Sequence, residues 1–164
     1  MQSIYKTNRI KTTIHFTKKF YLTMSHSFNH ILPLQTRFGD IDSLGHTNNT
    51  VYLQYIDLGR LHYLIDVLQE RMDWENQGLI VVNVNINFLS QVKMFDEVEV
   101  RTKVVKLGNK SLEMFHQIYN KTANVVAVEG KSVMAGYSNK IGASIPIPAR
   151  WRERIIAFEK EVEV

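Results

Sequence analysis

The sequence predicts an α+β domain in which a bent antiparallel sheet of about five strands wraps around one long central helix. Three observations lead there. A segment from about residue 47 to 69 is apolar on most of its helical faces, and after Gly78 the hydrophobic period drops to two. The strands that follow are joined by short turns, which makes their pairing antiparallel.

A first strand is read over 27–38, closing on Gln35-Thr36-Arg37-Phe38, and a Gly/Asp-rich turn from Gly39 to Gly45 separates it from the helix. Within the helix, Tyr52, Leu53, Ile56, Leu61, Leu64, Ile65 and Leu68 recur at three- and four-residue steps. Gln54, Asp57 and Arg60 leave only a narrow polar stripe. A helix with so little polar surface is enclosed by other structure, so it is what the sheet curls around. In Val82-Asn83-Val84-Asn85-Ile86-Asn87-Phe88 every second residue is apolar. From Glu97 the alternation returns, with Val98, Val100, Thr102 and Val104 on one face and Glu97, Glu99, Arg101 and Lys103 on the other. Leu107-Gly108-Asn109-Lys110 has hairpin-turn composition, and strands over 111–120 and 124–138 follow. Gly130 and Gly136 in the last of these suit a bend or a close approach of backbone. Pro146 and Pro148 break the chain before a short charged helix over 150–160, and Trp74 and Trp151 read as packing residues.

Composition narrows the function. At 164 residues and 45% hydrophobic the chain suits one packed domain. Without cysteine it has no disulfide framework, thiolate-bound metal or cysteine nucleophile. No apolar run reaches the ~18 residues that a membrane span needs. The net charge of +4 is concentrated at one end: residues 1–23 hold Lys6, Arg9, Lys11, Lys18 and Lys19 and no acid, which leaves residues 24–164 at −1. A groove that tracks phosphates needs its charge in the folded part, so no nucleic-acid partner is expected. Residues 1–23 therefore read as a basic extension and residues 24–164 as the domain. Lys and Thr interrupt the extension too often for a secretory signal. An upstream start with Met24 as the first residue is expected, and a transit peptide shares the composition. The expected compartment is the cytoplasm, unless residues 1–23 address the chain to an organelle.

The densest cluster of site-capable residues runs from Arg37 to Asn49, between the first strand and the helix. Asp, Asn, Thr and Gly at a helix start serve as caps and turns. The same place favours a reaction that develops negative charge, because the first helical N–H groups lack internal partners and the dipole end is positive. A carboxylate on the preceding loop can act as general base or nucleophile. Residue types alone leave both readings open. No second group of His or acidic residues stands at metal-ligand spacing, so no metal is expected.

Two segments carry a family resemblance. GDIDSLGHTNNTVYLQYIDLGRLHYL resembles the hotdog-fold thioesterases of the 4-hydroxybenzoyl-CoA thioesterase superfamily. The likeness is to the acyl-CoA thioesterases whose motif is Asp-x-x-x-His-Val-Asn-Asn followed by x-x-Tyr-Leu. Asp42, His46, Asn48, Asn49, Tyr52 and Leu53 fall on those positions, with Thr47 in place of Val. VVNVNINFLSQVKMFDEVEVRTKVVKLGNKSLEMFHQIYN is similar to later strands of the FadM/YbgC-like subgroup, and the resemblance covers about 130 residues from near Leu34.

The resemblance implies a lipid-metabolism hydrolase that converts an acyl-CoA thioester to free acid and coenzyme A. Asp42 takes the place of the catalytic carboxylate, which activates water or attacks the thioester carbonyl. The backbone N–H of Asn49 would polarise that carbonyl, and His46 and Asn48 would order the loop or orient water. Asn48, Tyr52 and Lys110 are the implied substrate contacts. Lys110 falls where relatives place basic residues near coenzyme A phosphates, although a solvated hairpin lysine fits it equally. No cofactor is implied, coenzyme A being part of the substrate. In this fold the site and the acyl tunnel lie between subunits, so a homodimer or homotetramer is implied. Two rival readings stand beside this one. One is a non-catalytic acyl-CoA-binding module; the other is an acyl-carrier-protein thioesterase, whose acidic carrier asks for a basic docking face.

Overall fold

A computed structural model of the chain describes residues 27–164, so the extension expected over 1–23 lies outside the described residues. In chain order the elements are β1 (His30–Leu34), a 3-10 turn (Phe38–Asp40), α1 (Asn49–Leu68) and β2 (Gly78–Phe88), then β3 (Val98–Leu107), β4 (Ser111–Asn120), β5 (Val125–Ser138), β6 (Ala143–Ser144) and α2 (Ala149–Glu159). One antiparallel sheet runs in the order β1-β3-β4-β5-β2, with the two-residue β6 on β5. The expected sheet and long helix are both present.

Two elements differ from expectation for physical reasons. β1 stops at Leu34 and the chain then tightens into the 3-10 turn, because the Asp40 carboxylate accepts the Arg37 N–H at 2.7 Å. β2 starts at Gly78, and a bulge between Val81 and Asn83 moves Val82 out of the apolar row. The residues of β2 that face the helix layer are Leu79, Val81, Val84, Ile86 and Phe88. They stand opposite Gly136, Met134, Ser132, Gly130 and Val128, all five of which are buried on β5.

Asn48 caps α1 by accepting the Thr50 N–H at 2.9 Å, and Gln69 ends the helix in the left-handed region at φ 50°. The helix packs on β1, β3 and β4 and against α2. At Gly59 it comes so near the sheet that a Cβ there would lie 2.3 Å from Val100 Cγ1. Gly130 marks a close approach of a second kind, since a Cβ would lie 2.2 Å from the Asn85 carbonyl oxygen. Two apolar clusters fill the helix–sheet interface, one around Tyr63, Leu68, Leu107 and Trp151, the other around Tyr55, Ile56, Val100 and Ile118. Each large side chain buried there contributes about 1.5–3 kcal/mol.

The enclosure of α1 is only partial in a single chain. Leu53, Leu58, Leu61 and Ile65 are 39–53% exposed, and beside them Val81, Val84 and Phe88 of β2 are 39–47% exposed. β2 is an edge strand, so this apolar face is open. Two residue readings change with it. Arg60, placed in the polar stripe by the sequence, is buried. Trp151 is a packing residue at 0% exposure, whereas Trp74 is half-exposed.

The core also holds a polar row. His116 on β4 is fully buried, with Nε2 2.8 Å from Ser132 Oγ and Nδ1 3.4 Å from Thr102 Oγ1. Burial, and after it the Arg60 guanidinium, pushes the His116 pKa from 6.5 down to about 3. The unfolded chain takes up this proton near pH 6.5 and the folded chain resists it. The corresponding stability is complete above pH 6.5 and is lost progressively toward pH 3, by roughly 5 kcal/mol at most. Urea unfolding at steps from pH 7 to pH 4 should show a falling midpoint in the wild type and a shallower fall in His116→Gln.

Candidate active site

The segment between β1 and α1 is held by its own polar groups. Asp40 is buried at 4% exposure, and its carboxylate accepts the Tyr55 hydroxyl at 2.6 Å and pairs with Arg37 at 3.2 Å. Burial works to raise the Asp40 pKa, but the hydrogen bonds from Tyr55 and Arg37 outweigh it and hold the carboxyl below its usual range. The Asp40 carbonyl accepts the Asn48 N–H at 2.9 Å, and the Asp42 N–H reaches the His46 carbonyl at 2.9 Å. Gly45, at φ +81°, supplies the left-handed residue that this reversal requires. The loop is then tied to the β2–β3 connection. Thr47 donates through its N–H and its hydroxyl to the Val92 carbonyl, at 2.8 and 3.1 Å, and the Val92 N–H donates to the Tyr52 hydroxyl at 3.0 Å.

This stitching gathers Asp42, His46, Asn48, Asn49 and Tyr52 around one cavity of about 460 Å³, walled on its far side by Phe88, Leu89, Ser90 and Gln91. Asp42 is half-buried, and its Oδ1 accepts the Leu44 N–H at 2.8 Å. Its Oδ2 has no hydrogen-bond partner among the described residues. Asn49 is the first residue of α1, where N–H groups have no intrahelical acceptor, and its N–H likewise has no partner among the described residues. The Asn48 side chain is committed to the cap, its Oδ1 taking both the N–H and the hydroxyl of Thr50. Tyr52 is a wall rather than an exposed contact: it is 3% exposed and packs on Phe88 with ring centroids 5.8 Å apart. Burial raises its hydroxyl pKa, so it stays protonated.

Lys110 is not part of this group. It sits in the hairpin between β3 and β4, exposed, with Nζ 3.3 Å from the Ser144 carbonyl. The ten residues of β3 separate that hairpin from the Asp42 end, about 30 Å at the rise of a strand. Sequence reasoning in turn missed Asp40 and Tyr55 as the pair that anchors the site loop. No local spacing links two residues fifteen positions apart across a loop and a helix turn.

A second cavity, of about 1100 Å³, lies between the C-terminal half of α1 and the start of β2. Leu61, Leu64, Ile65, Trp74, Leu79 and Met134 line it, with Asp57 and Arg60 in its wall. Among the described residues no three His, Cys, Asp or Glu side chains converge to hold a metal ion. No described helix is long and apolar enough to cross a membrane.

The smaller cavity is thus lined by a carboxylate oxygen and a helix-start N–H, both without a partner among the described residues. That combination suits addition to a carbonyl, the carboxylate supplying or activating the nucleophile and the N–H holding the oxygen that becomes negative.

Comparison with known proteins agrees with this chemistry. The family model described as thioesterase-like superfamily matches residues 36–155. A thioesterase from Thermus thermophilus, solved with coenzyme A and zinc, is 31% identical, covers 81% of this chain and 96% of its own, and superposes with a TM-score of 0.71. A chloroplastic acyl-acyl carrier protein thioesterase of Arabidopsis thaliana, ATL3, is 22% identical over 134 residues, 80% of this chain and 70% of that protein. The Staphylococcus aureus protein SAV2348, solved with coenzyme A, shares the fold at 16% identity, with a TM-score of 0.74 over 82% of this chain and 86% of its own.

Proposed function

Because the chain belongs to the thioesterase-like superfamily and is a thioester hydrolase, we propose that it hydrolyses an acyl-CoA at the cavity around Asp42. The observation that carries this reading is that Asp42 and Asn49 line one cavity, with Asp42 Oδ2 and the Asn49 N–H both unpartnered among the described residues. The thioester carbonyl oxygen accepts the Asn49 N–H, whose placement at the positive end of α1 stabilises the developing oxyanion. In the water route Asp42 takes a proton from the attacking water, the C–S bond breaks, and the coenzyme A sulfur leaves with that proton. In the nucleophile route Asp42 attacks the carbonyl itself and expels the thiolate, and water then hydrolyses the mixed anhydride to the free acid and the restored carboxylate, its other proton going to the thiolate. His46 and Asn48 keep the loop and the helix start in register. Two similar solved proteins hold coenzyme A, which supports that carrier. An acidic carrier protein fits less well, since residues 24–164 sum to −1 and offer no excess of basic charge.

The acting unit is a homodimer. The open β2 edge and the exposed apolar residues Leu53, Leu61, Ile65, Val81, Val84 and Phe88 form one continuous face that a second copy would cover. Antiparallel pairing of two β2 edges about a twofold axis exchanges their ends. Residues 79–81 of one copy then lie beside residues 88–91 of the other. The large cavity of each chain thereby continues into the small cavity of its partner, the acyl tail in one and the thioester in the other. Within one chain, by contrast, twelve residues of α1 separate Asn49 from Leu61, about 18 Å. The same exchange carries Lys110 toward the partner's Asp42 end, as a coenzyme A contact.

The test is thiol release from short, long, branched and aromatic acyl-CoAs, followed with a thiol-reactive dye. The chain has no cysteine, so it adds no background. Release from at least one member is expected. Tight binding by calorimetry with no release from any member would make the chain a binding module instead.

A further inference from the structure

We propose that the acyl half of the substrate carries an uncharged oxygen acceptor, a keto or hydroxyl group remote from the thioester, which Arg60 reads in the larger cavity. The inference rests on the thioester reading above and adds the chemistry of the tail. A plain hydrocarbon would be served by the apolar lining of that cavity alone, Leu61, Leu64, Ile65 and Leu79. Gln69, Glu70 and Arg71 also line it, but at its exposed or half-exposed rim, whereas Arg60 is a buried charge in its wall. Its side chain is only 10% exposed, and Nη2 pairs with Asp57 Oδ1 at 2.5 Å. Nη1 is buried with no hydrogen-bond partner among the described residues.

A buried donor without an acceptor is disfavoured, the more so on a charged group. The neighbouring polar row does not relieve it: His116 is engaged by Ser132 through Nε2 and faces Thr102 through Nδ1. Asp57, 63% exposed on its side chain, already matches the guanidinium charge. What Arg60 lacks is therefore an acceptor, not a second anion. A neutral oxygen supplies it, whereas a carboxylate would leave a surplus negative charge beside the buried Arg60 guanidinium that Asp57 already matches. Met72 and Met134 line the same cavity. Their unbranched, adaptable side chains can give way to let the tail reach the guanidinium.

The experiment uses pairs of acyl-CoAs of equal length, with and without one keto or hydroxyl oxygen at stepped positions, together with ω-carboxyl analogues. It is run on the full chain, wild type and Arg60→Met, and reads the ratio of kcat/KM within each protein. The wild type should favour the oxygenated member by about tenfold or more at one position of the oxygen. In Arg60→Met that ratio should fall to within about twofold of one. A wild-type ratio near one at every position would overturn the proposal, as would an unchanged ratio in Arg60→Met. Preference for the ω-carboxyl analogue over the neutral oxygen would overturn the choice of acceptor. Should Arg60→Met not fold, the wild-type ratios decide alone, with calorimetric binding of the same pairs to Asp42→Asn as the second readout. Absence of thiol release from every thioester would defeat the hydrolase reading, whereas equal release from both members of each pair defeats only this one.

Discussion

Asp42→Asn should lower kcat by about a thousandfold while leaving the unfolding transition within about 1 kcal/mol of wild type. The substitution is chosen from the hydrogen bonds. Asp42 Oδ1 accepts the Leu44 N–H that shapes the loop, and asparagine keeps that oxygen in place. What it replaces is Oδ2, the atom with no partner among the described residues, by an amide that can neither take a proton nor attack a carbonyl. Binding of the acyl-CoA should survive, so the loss belongs in kcat rather than in KM. Steady-state kinetics beside urea unfolding checks both halves. Equal turnover by the two proteins would remove Asp42 from the chemistry. A collapse of stability would mean that its role is to hold the loop.

Activity should return when two inactive chains are combined. Asp42→Asn retains the large cavity, and Ile65→Trp, which fills that cavity from an exposed position of α1, retains the carboxylate. If the acyl tail lies in the partner's cavity, a mixed dimer has one intact site, with Asp42 from one copy and the open groove from the other. Random mixing of equal amounts gives half mixed dimers with one good site of two, about a quarter of wild-type activity. Co-expression with two affinity tags isolates the mixed dimer, in which thiol release should reach about half of the wild-type activity. No recovery in verified mixed dimers would place both halves of the site within one chain.

Much of this fold was legible because its signals are local. The period-two run over 97–104 became β3, and the strand read after the hairpin turn, over 111–120, became β4, since alternation and turn composition need no information from elsewhere. The segment from Asp42 to Tyr52 was legible for the same reason: cap, tight turn and helix start all lie within a dozen residues, and they line one cavity. Where the reading went astray, a distant partner had decided. The bulge at Val82 exists because β2 must match β5, so the apolar row shifts to Val81 and Val84. Arg60 looked like part of a wet stripe because helical position alone does not say which flank meets the sheet. Lys110 is a different case: the length of β3 sets it at the far end of its own chain from Asp42, so the proposed contact with coenzyme A needs a second copy, which no local spacing announces.

The sequence by itself thus determined the class of fold, one helix against an antiparallel sheet, and the place of the carboxylate loop, because hydrophobic period and capping chemistry act over a few neighbouring residues. Only the tertiary structure decided that Asp40 and Tyr55 anchor that loop, that a large cavity opens on the uncovered flank of α1, and that a guanidinium with a nitrogen unpartnered among the described residues lines it. Those features arise where segments far apart in the chain meet. Burial and pairing there are set by strand order and by the helix's seat on the sheet, neither of which is written in any single stretch of residues.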